Sequence, residues 1–167
     1  MSEFTRLVSL ARLGSEPFRQ HVTADPAERA ALAARFDLIS LDRLEADVEL
    51  VRERMGTILL SATFTAEFAQ ECIVTLDPVP GSVSEQFQLR YGPPDAEEMV
   101  PAGDDDPAFE PLESESIDIG EAIAQEFSLA LPPFPRAPDA EIVAEPEEDR
   151  AEGPFAALSR LRGDVPR

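Results

Sequence analysis

The chain has 167 residues and a mass of 18.2 kDa, which suits one domain of ordinary size. Its 14 basic residues, all arginines, face 34 acidic ones, and the formal net charge of -20 argues against an extended basic surface for nucleic acid. One cysteine, Cys72, excludes an intrachain disulfide and a multi-cysteine zinc site, and no apolar stretch approaches the roughly 20 residues that cross a bilayer.

Apolar and polar residues alternate in several stretches, which predicts strands with one buried face. The first row alternates weakly, since Phe18 and Val22 flank the polar Gln20. The apolar rows that follow are, in chain order, Leu44, Ala46, Val48 and Leu50; Ile58, Leu60, Ala62, Phe64, Ala66 and Phe68; Cys72, Val74 and Leu76; and Phe87, Leu89 and Tyr91. Met55-Gly56 and Asp77-Pro78-Val79-Pro80-Gly81 carry turn chemistry between strands. The pattern predicts a half-solvated antiparallel sheet, which we expect to be strongly curved or barrel-like.

Two short helices are also predicted. Asp25-Pro26-Ala27-Glu28 combines an N-cap, a proline at the first helical position and a glutamate placed for a capping box. Asp118 begins the second helix, and Pro132-Pro133 ends it because proline cannot continue the backbone hydrogen bonds. The apolar residues of this helix recur about one turn apart, at Ile119, Ile123 and Phe127. The predicted fold class is therefore α+β.

Charge and apolar content divide the chain into a domain and a tail. Residues 91–135 hold twelve acids and no arginine, and within them residues 92–110 have almost no apolar surface to offset the entropy of ordering. We therefore predict a single domain at residues 1–135 with a mobile acidic loop at 92–110. Residues 136–167 are predicted to form a flexible tail with a short amphipathic segment at 153–162.

Few residues in the sequence could carry chemistry. Cys72 shares the phase of its apolar neighbours, so we interpret it as a buried structural thiol, and His21 lies in the polar phase of its strand. Asp104-Asp105-Asp106 lacks the spaced ligands of a calcium loop and is interpreted as a solvated charge run. Phosphate-binding loops and nucleophile motifs are not visible. We therefore expect no enzyme activity, no catalytic residue, no cofactor and no metal.

The amphipathic segment at 153–162 has a different character from the acidic stretch before it. Its apolar residues, Phe155, Leu158 and Leu161, repeat every three positions beside Arg160 and Arg162. One interpretation is that it docks back on the sheet. The interpretation that we favour is a peptide that folds against a partner, with these five residues as the partner-binding site.

Three features of the sequence, in their order and spacing, resemble those of one family. They are a cysteine motif, a signature in three parts between residues 111 and 135, and a C-terminal motif. Residues 111–113, 116–121 and 127–135 read PLE, SIDIGE and FSLALPPFP, and residues 153–161 read GPFAALSRL. Glu71-Cys72-Ile73-Val74-Thr75-Leu76 lies where many family members have a Cys-x-x-Cys. In these features the chain resembles the YceD family, the bacterial large ribosomal RNA subunit accumulation proteins, from about residue 60 to residue 162. Thr75 replaces the second cysteine, so any metal site of those relatives cannot be carried over.

The resemblance implies a role in accumulation, processing or assembly of large-subunit ribosomal RNA in the cytoplasm. The N-terminus lacks the pattern of a signal peptide, which agrees with that compartment. Because the net charge repels RNA, we expect an acidic adaptor whose partner is a ribosomal protein or a large-subunit assembly factor, with indirect association with ribosomal RNA and none with membranes. The alternative is a direct RNA-binding module that uses Arg52, Arg54 and Arg90 as a local patch.

Overall fold

A computed structural model describes residues 3–95, 106–112 and 114–141. Seven strands and two α-helices follow one another along the described chain. They are β1 (Leu7–Ser9), β2 (Phe18–Thr23), α1 (Pro26–Arg35), β3 (Ser40–Arg52), β4 (Ile58–Glu71), β5 (Pro78–Gly92), β6 (Ala108–Pro111), β7 (Ser116–Asp118) and α2 (Ile119–Ala130). The α+β class and both helices are confirmed. In the described part of the chain, no helix is both long and apolar enough to cross a membrane.

The sheet is mixed and open, so the predicted antiparallel, barrel-like sheet is wrong in these two respects. Its five strands lie in the order β2-β3-β4-β5-β6, and β6 runs parallel to β5 while the other neighbours are antiparallel. β1 and β7 form a separate two-stranded ribbon. Strong curvature requires bulges or glycine kinks, yet β4 and β5 pair continuously from Ile58↔Tyr91 to Glu71↔Pro78. The register shifts once in the β3–β4 ladder, between Leu41 and Arg43.

One face of the sheet forms the core, as the alternating pattern predicts. The apolar rows of β3 and β4 are buried at every position, namely Leu44, Ala46, Val48, Leu50, Ile58, Leu60, Ala62, Phe64, Ala66 and Phe68. On the shorter β2, Val22 is buried and Phe18 is half-buried, whereas His21 points to solvent. Burial of these rows removes apolar surface from water, which is the main force that stabilises the sheet.

Helix α2 covers the apolar face and supplies the centre of the core. Ile119, Ile123 and Phe127 are all buried, which confirms the predicted helix face. The Phe127 ring makes edge-to-face contacts with Phe36, Phe64 and Phe68, at centroid distances of 5.8, 6.4 and 5.7 Å. Such pairs contribute about 0.5 to 1.5 kcal/mol each beyond the burial of their area.

The N-terminal segment is fastened to the beginnings of both helices. Asp25 and Glu28 form the predicted capping box of α1, and Arg6 donates to both oxygens of Glu28 at 2.6 and 2.8 Å. The Arg6 hydrogen bond lowers the pKa of Glu28. The Arg6 amide donates to Asp118 Oδ1 at 2.8 Å, and Asp118 also caps α2. Gly120 lies so close to this segment that a Cβ atom there would be 2.3 Å from the Phe4 carbonyl oxygen.

The chain from Cys72 to Leu76 is a turn, so the strand predicted there is wrong. The Cys72 amide donates to the Asp77 carbonyl at 2.9 Å, and Leu76 has a positive φ of 64°. The alternation of apolar and polar residues continues through this turn, so the sequence pattern does not reveal it.

The turn predicted at 77–81 is also displaced, because β5 begins at Pro78. A proline fits a strand whose missing N–H would point to an unpaired edge, and β6 pairs only with the far end of β5.

The predicted acidic loop and tail fall partly outside the described residues. Gly92 belongs to β5 and residues 108–110 belong to β6, while residues 96–105 are not described. The segment after α2 is described as far as Glu141 and crosses the β4–β5 turn. Gln70 donates to the Pro132 carbonyl at 3.1 Å, and the Ile73 amide donates to the Pro135 carbonyl at 3.0 Å.

Replacement of Phe64 tests the core. Phe64 is 1% exposed and its ring meets Phe87 and Phe127, so Phe64→Ala leaves a cavity and is expected to cost about 3 to 5 kcal/mol of unfolding free energy. The matched control is Thr63→Ala on the other face, with an expected change of at most about 0.5 kcal/mol. Chemical denaturation measures both. Equal stability of the two variants would contradict the described packing.

Replacement of Gly120 tests the contact between α2 and the N-terminal segment. Gly→Ala in an open helix stabilises by roughly 0.5 to 1 kcal/mol. Here the new methyl group meets Phe4 backbone, so Gly120→Ala is expected to destabilise by about 1 to 3 kcal/mol. Gly14→Ala is the control, because a Cβ at Gly14 has nothing within 4 Å. If thermal melting shows Gly120→Ala to be as stable as the control variant, the N-terminal segment does not pack there.

Candidate functional site

The open face of the sheet, opposite the core, is lined by polar side chains of β2, β3, β4 and β5. A shallow groove of about 420 Å³ crosses this face, and its lining includes Arg19, His21, Asp47, Ser61, Thr63 and Gln86. The register explains the grouping, because His21 pairs with Asp47, Asp47 with Thr63, and Thr63 with Gln86. The groove therefore offers hydroxyl, amide and carboxylate groups to a partner.

An acidic row runs along β3 in the middle of the open face. Its members alternate with the buried apolar row and are Glu45, Asp47 and Glu49. Arg19 pairs with Glu49 at 2.5 Å, while Arg43 pairs with Glu45 and Glu67. The Arg43 hydrogen bond lowers the pKa of Glu45. The acidic row and its ion-pair partners thus comprise four carboxylates and two arginines.

Asp47 is the most accessible carboxylate of this row. Its side chain is 82% exposed, and its Oδ1 atom lies 2.8 Å from His21 Nδ1. His21 Nε2 lies 3.3 Å from Thr23 Oγ1, which completes a chain of three polar groups at the surface. This chain of polar groups is open to solvent. Its chemistry suits hydrogen bonding to a partner.

Ion pairs between arginines and carboxylates recur beyond the acidic row. Arg6 pairs with Glu28, Arg35 with Glu121 at 2.7 Å, and Arg90 with Glu53 at 3.0 Å. The Glu121 hydrogen bond raises the pKa of Arg35 further above its usual range. Because each pair cancels its own charge, these arginines add little positive field for a phosphate backbone.

The three arginines suggested for RNA contact do not share one surface. Arg52 lies on the core side of β3 and donates to the carbonyls of Leu13 and Leu10 at 2.8 and 2.7 Å. Arg90 lies on the open face, is bound to Glu53, and its side chain is only 15% exposed. Arg54 is exposed in the turn between β3 and β4. The structure therefore separates Arg52 from Arg90 by the thickness of the sheet.

Aromatic rings are scarce on the open face. Strands β2 to β5, which are described in full, place no Phe, Tyr or Trp side chain on it, and the ring that β6 adds beside Arg90 is Phe109. Phe109 is half-buried and lies against Gly92. Sheet surfaces that bind single-stranded RNA stack bases on several exposed aromatic rings. This face lacks that platform.

Cys72 is fully buried and accepts hydrogen bonds from its surroundings. Its Sγ atom lies 3.3 Å from the Ala137 amide nitrogen and 3.4 Å from the Thr75 amide nitrogen. The Thr75 side chain, together with these backbone N–H groups, holds the pKa of the thiol at about 7. The predicted burial of this thiol is confirmed, and its structural role stays a prediction. In the described ranges, no cluster of three His, Cys, Asp or Glu side chains could hold a metal.

Sequence reasoning placed the binding site elsewhere. The predicted partner-binding residues, Phe155, Leu158, Arg160, Leu161 and Arg162, lie outside the described residues. The acidic row was not singled out as a site, although one signal could have revealed it. Each outward position of β3 from Glu45 to Glu49 is a carboxylate, which solvation alone does not require.

Comparison with known proteins identifies a family. The family model described as "Large ribosomal RNA subunit accumulation protein YceD" matches residues 60–162, which include most of β4, all of β5 to β7, α2 and residues 153–162. No curated protein and no solved structure matches the chain.

The Cys72 thiol makes stability depend on pH. Its pKa is about 7 in the folded state and near 8.5 in an unfolded chain, so folding favours the thiolate. The resulting stabilisation is full above the unfolded pKa and is lost as pH falls through about 7. The difference in melting temperature between the native chain and Cys72→Ser, measured under reducing conditions, is expected to widen from about pH 6 to about pH 9.

Thr75→Val provides the control for this pH series. The substitution removes the hydroxyl that contributes most to the lowered pKa, so Cys72→Ser in that background should show a flatter pH dependence. A melting difference that stays constant with pH in the native background contradicts the thiolate interpretation.

Proposed function

Because the chain belongs to the YceD family of large ribosomal RNA subunit accumulation proteins, we propose that it acts in this process as a non-catalytic acidic adaptor. Its direct partner would be a ribosomal protein or an assembly factor with a basic surface. Association with ribosomal RNA would then be indirect, and the cytoplasm would be the site of action. The family description supports the process, and the electrostatics of the domain support the mechanism.

The acidic row of the open face is the observation that carries this proposal. The Asp47 carboxylate of this row is exposed. The two arginines near it are already paired with other carboxylates of the row, Arg19 with Glu49 and Arg43 with Glu45. A basic partner gains long-range attraction on approach, since the chain has a net charge of -20. Bare RNA meets repulsion at the same distance. The groove next to Asp47 offers hydrogen-bonding groups once contact is made.

The C-terminal segment would add apolar contacts to this electrostatic attraction. Phe155, Leu158 and Leu161 supply apolar area, while Arg160 and Arg162 offer charge for acidic groups of the partner. An aromatic or aliphatic anchor that enters a partner pocket often carries much of the binding energy. We therefore propose a bipartite interaction, with charge on the sheet and apolar anchors at the C-terminus.

The competing function is direct RNA binding through Arg52, Arg54 and Arg90. One observation favours it: Phe109 lies beside Arg90 in the sheet. The ion pair of Arg90 with Glu53 and the position of Arg52 on the other face speak against it.

Affinity capture of the full chain, with and without nuclease, tests the adaptor proposal. We expect ribosomal or assembly proteins to be recovered after complete RNA digestion, because the contact is made with protein. Once identified, the partner allows binding measurements with purified components. Recovery that disappears with the RNA contradicts the adaptor mechanism and supports the RNA-binding module.

Variants then separate the two halves of the proposed contact. Phe155→Ala with Leu158→Ala removes up to roughly 1.5 to 3 kcal/mol of burial for each side chain, so we expect at least about tenfold weaker binding without loss of the fold. Val165→Ala is the control in the same tail. Asp47→Asn with Glu49→Gln should weaken binding about threefold to tenfold at low salt, whereas Glu16→Gln with Glu115→Gln should not. Equal binding by all variants would contradict the bipartite contact.

A further inference from the structure

Exposed apolar side chains gather at one end of the domain. Among the described residues, the large hydrophobic side chains with high exposure are Leu7, Ile39, Ile73, Leu76, Leu129 and Phe134. All except Leu7 lie at the end where the β4–β5 turn meets the C-terminus of α2. We call Ile39, Ile73, Leu76, Leu129 and Phe134 the hairpin-end surface.

Hydrogen bonds show that the parts of this surface are neighbours. The Ile39 amide donates to the Ala69 carbonyl at 2.8 Å, which places Ile39 beside the end of β4. Phe134 lies between Pro132 and Pro135, whose carbonyls accept from Gln70 and Ile73 of the hairpin. Leu76 and Phe134 are 66% and 74% exposed, so their side chains contribute little to the core.

Carboxylates surround the hairpin-end surface. The exposed acidic residues on its elements are Asp37, Asp42, Glu71, Asp77, Asp139 and Glu141. Arg136 is the one basic residue in the described segment that follows α2. An occupant of this surface therefore needs apolar side chains and positive charge, and it should lack acidic residues.

Residues 153–162 of the same chain have this chemistry. Within them are Phe155, Leu158 and Leu161 together with Arg160 and Arg162, and there is no acidic residue. The described chain also ends near the hairpin-end surface. The Ala137 amide donates a hydrogen bond to Cys72 Sγ, and the last described residue is Glu141, close to the surface.

The length of the connection permits the contact. Eleven residues, 142–152, separate Glu141 from the segment. At about 3.3 to 3.6 Å per residue they span at most roughly 40 Å, which exceeds the distance required to return to the hairpin end. A short tether holds its ligand at an effective concentration of about 1 mM or more, so even a weak contact is well populated.

From these observations, we infer that residues 153–162 occupy the hairpin-end surface in the free protein. Phe155, Leu158 and Leu161 cover the exposed apolar side chains, and Arg160 and Arg162 meet the surrounding carboxylates. A second copy of the chain carries the same segment but lacks the advantage of the tether at low concentration. A separate basic partner lacks it as well.

This contact has a consequence that rests on the proposed function. The apolar residues proposed to bind a partner are engaged by the chain itself, so only the undocked fraction is ready to bind. Docking then lowers the apparent affinity for the partner by the ratio of total to undocked chain. A partner would have to compete with the hairpin-end surface for the segment.

Hydrogen exchange of the full chain, read by mass spectrometry over residues 153–162, tests the docking without any partner. In the native chain we expect exchange about fivefold to tenfold slower than in Leu76→Ser with Phe134→Ser. Leu7→Ser, an exposed leucine at the other end of α2, is the control and should keep the protection. The altered residues are exposed, so melting temperatures should stay close to native.

Dilution separates the intramolecular contact from a second copy. Protection should be unchanged over an about hundredfold dilution, because a tethered contact does not depend on protein concentration. Protection that falls on dilution overturns the inference in favour of a second copy. Equal exchange in the native chain and the double variant overturns docking on this surface altogether.

The partner identified by capture distinguishes this inference from the proposed function. If both hold, Leu76→Ser with Phe134→Ser binds the partner about fivefold to tenfold more tightly, because the segment is released. Weaker binding by this variant, with unchanged exchange in the segment, overturns the inference and makes the surface a partner site. If exchange behaves as expected and no protein partner is captured, the docking stands and the adaptor proposal fails.

Discussion

The rest of the structure depends on the need to cover one apolar face of the sheet. Strands β3 and β4 turn every second side chain toward this face, and a sheet of this kind is unstable until another element excludes water from it. Helix α2 does so with Phe127, whose ring contacts Phe64 and Phe68 of β4 and Phe36 after α1. One aromatic ring thus joins the sheet to both helices.

The same constraint leaves the opposite face free to carry charge. Because α1 and α2 are engaged with the core, the outward positions of β2 to β5 need no apolar residues, and β3 places carboxylates there. Arginines neutralise part of this charge without reversing it. The apolar face forms the core and the open face carries the charge, which explains how a protein with such an excess of acids retains an ordinary hydrophobic core. In the proposed function, the charge of the open face selects the partner without any change to the packing of the core.

The sequence was sufficient where local chemistry and tertiary structure agree. Alternation predicted the buried rows of β3 and β4, and the caps at Asp25 and Asp118 predicted both helices. It failed where a pattern continued beyond its element, as at Leu76, whose positive φ no residue type announces. The parallel pairing of β6 and the openness of the sheet depend on contacts between distant segments, which alternation does not encode. The acidic row was visible in the sequence, but its accessibility required the register of three neighbouring strands.

The coverage of the sheet by α2 also sets an order of events during synthesis. The hairpin of β4 and β5 is complete at Gly92, whereas α2 ends 38 residues later at Ala130. At about 5 to 20 residues per second, translation of that interval takes roughly 2 to 8 s. Throughout it only α1 covers part of the apolar face, and the N-terminal segment has its ion pair with Glu28 but not its hydrogen bond to Asp118. The nascent chain therefore passes through an aggregation-prone stage that only the arrival of its late helix can end.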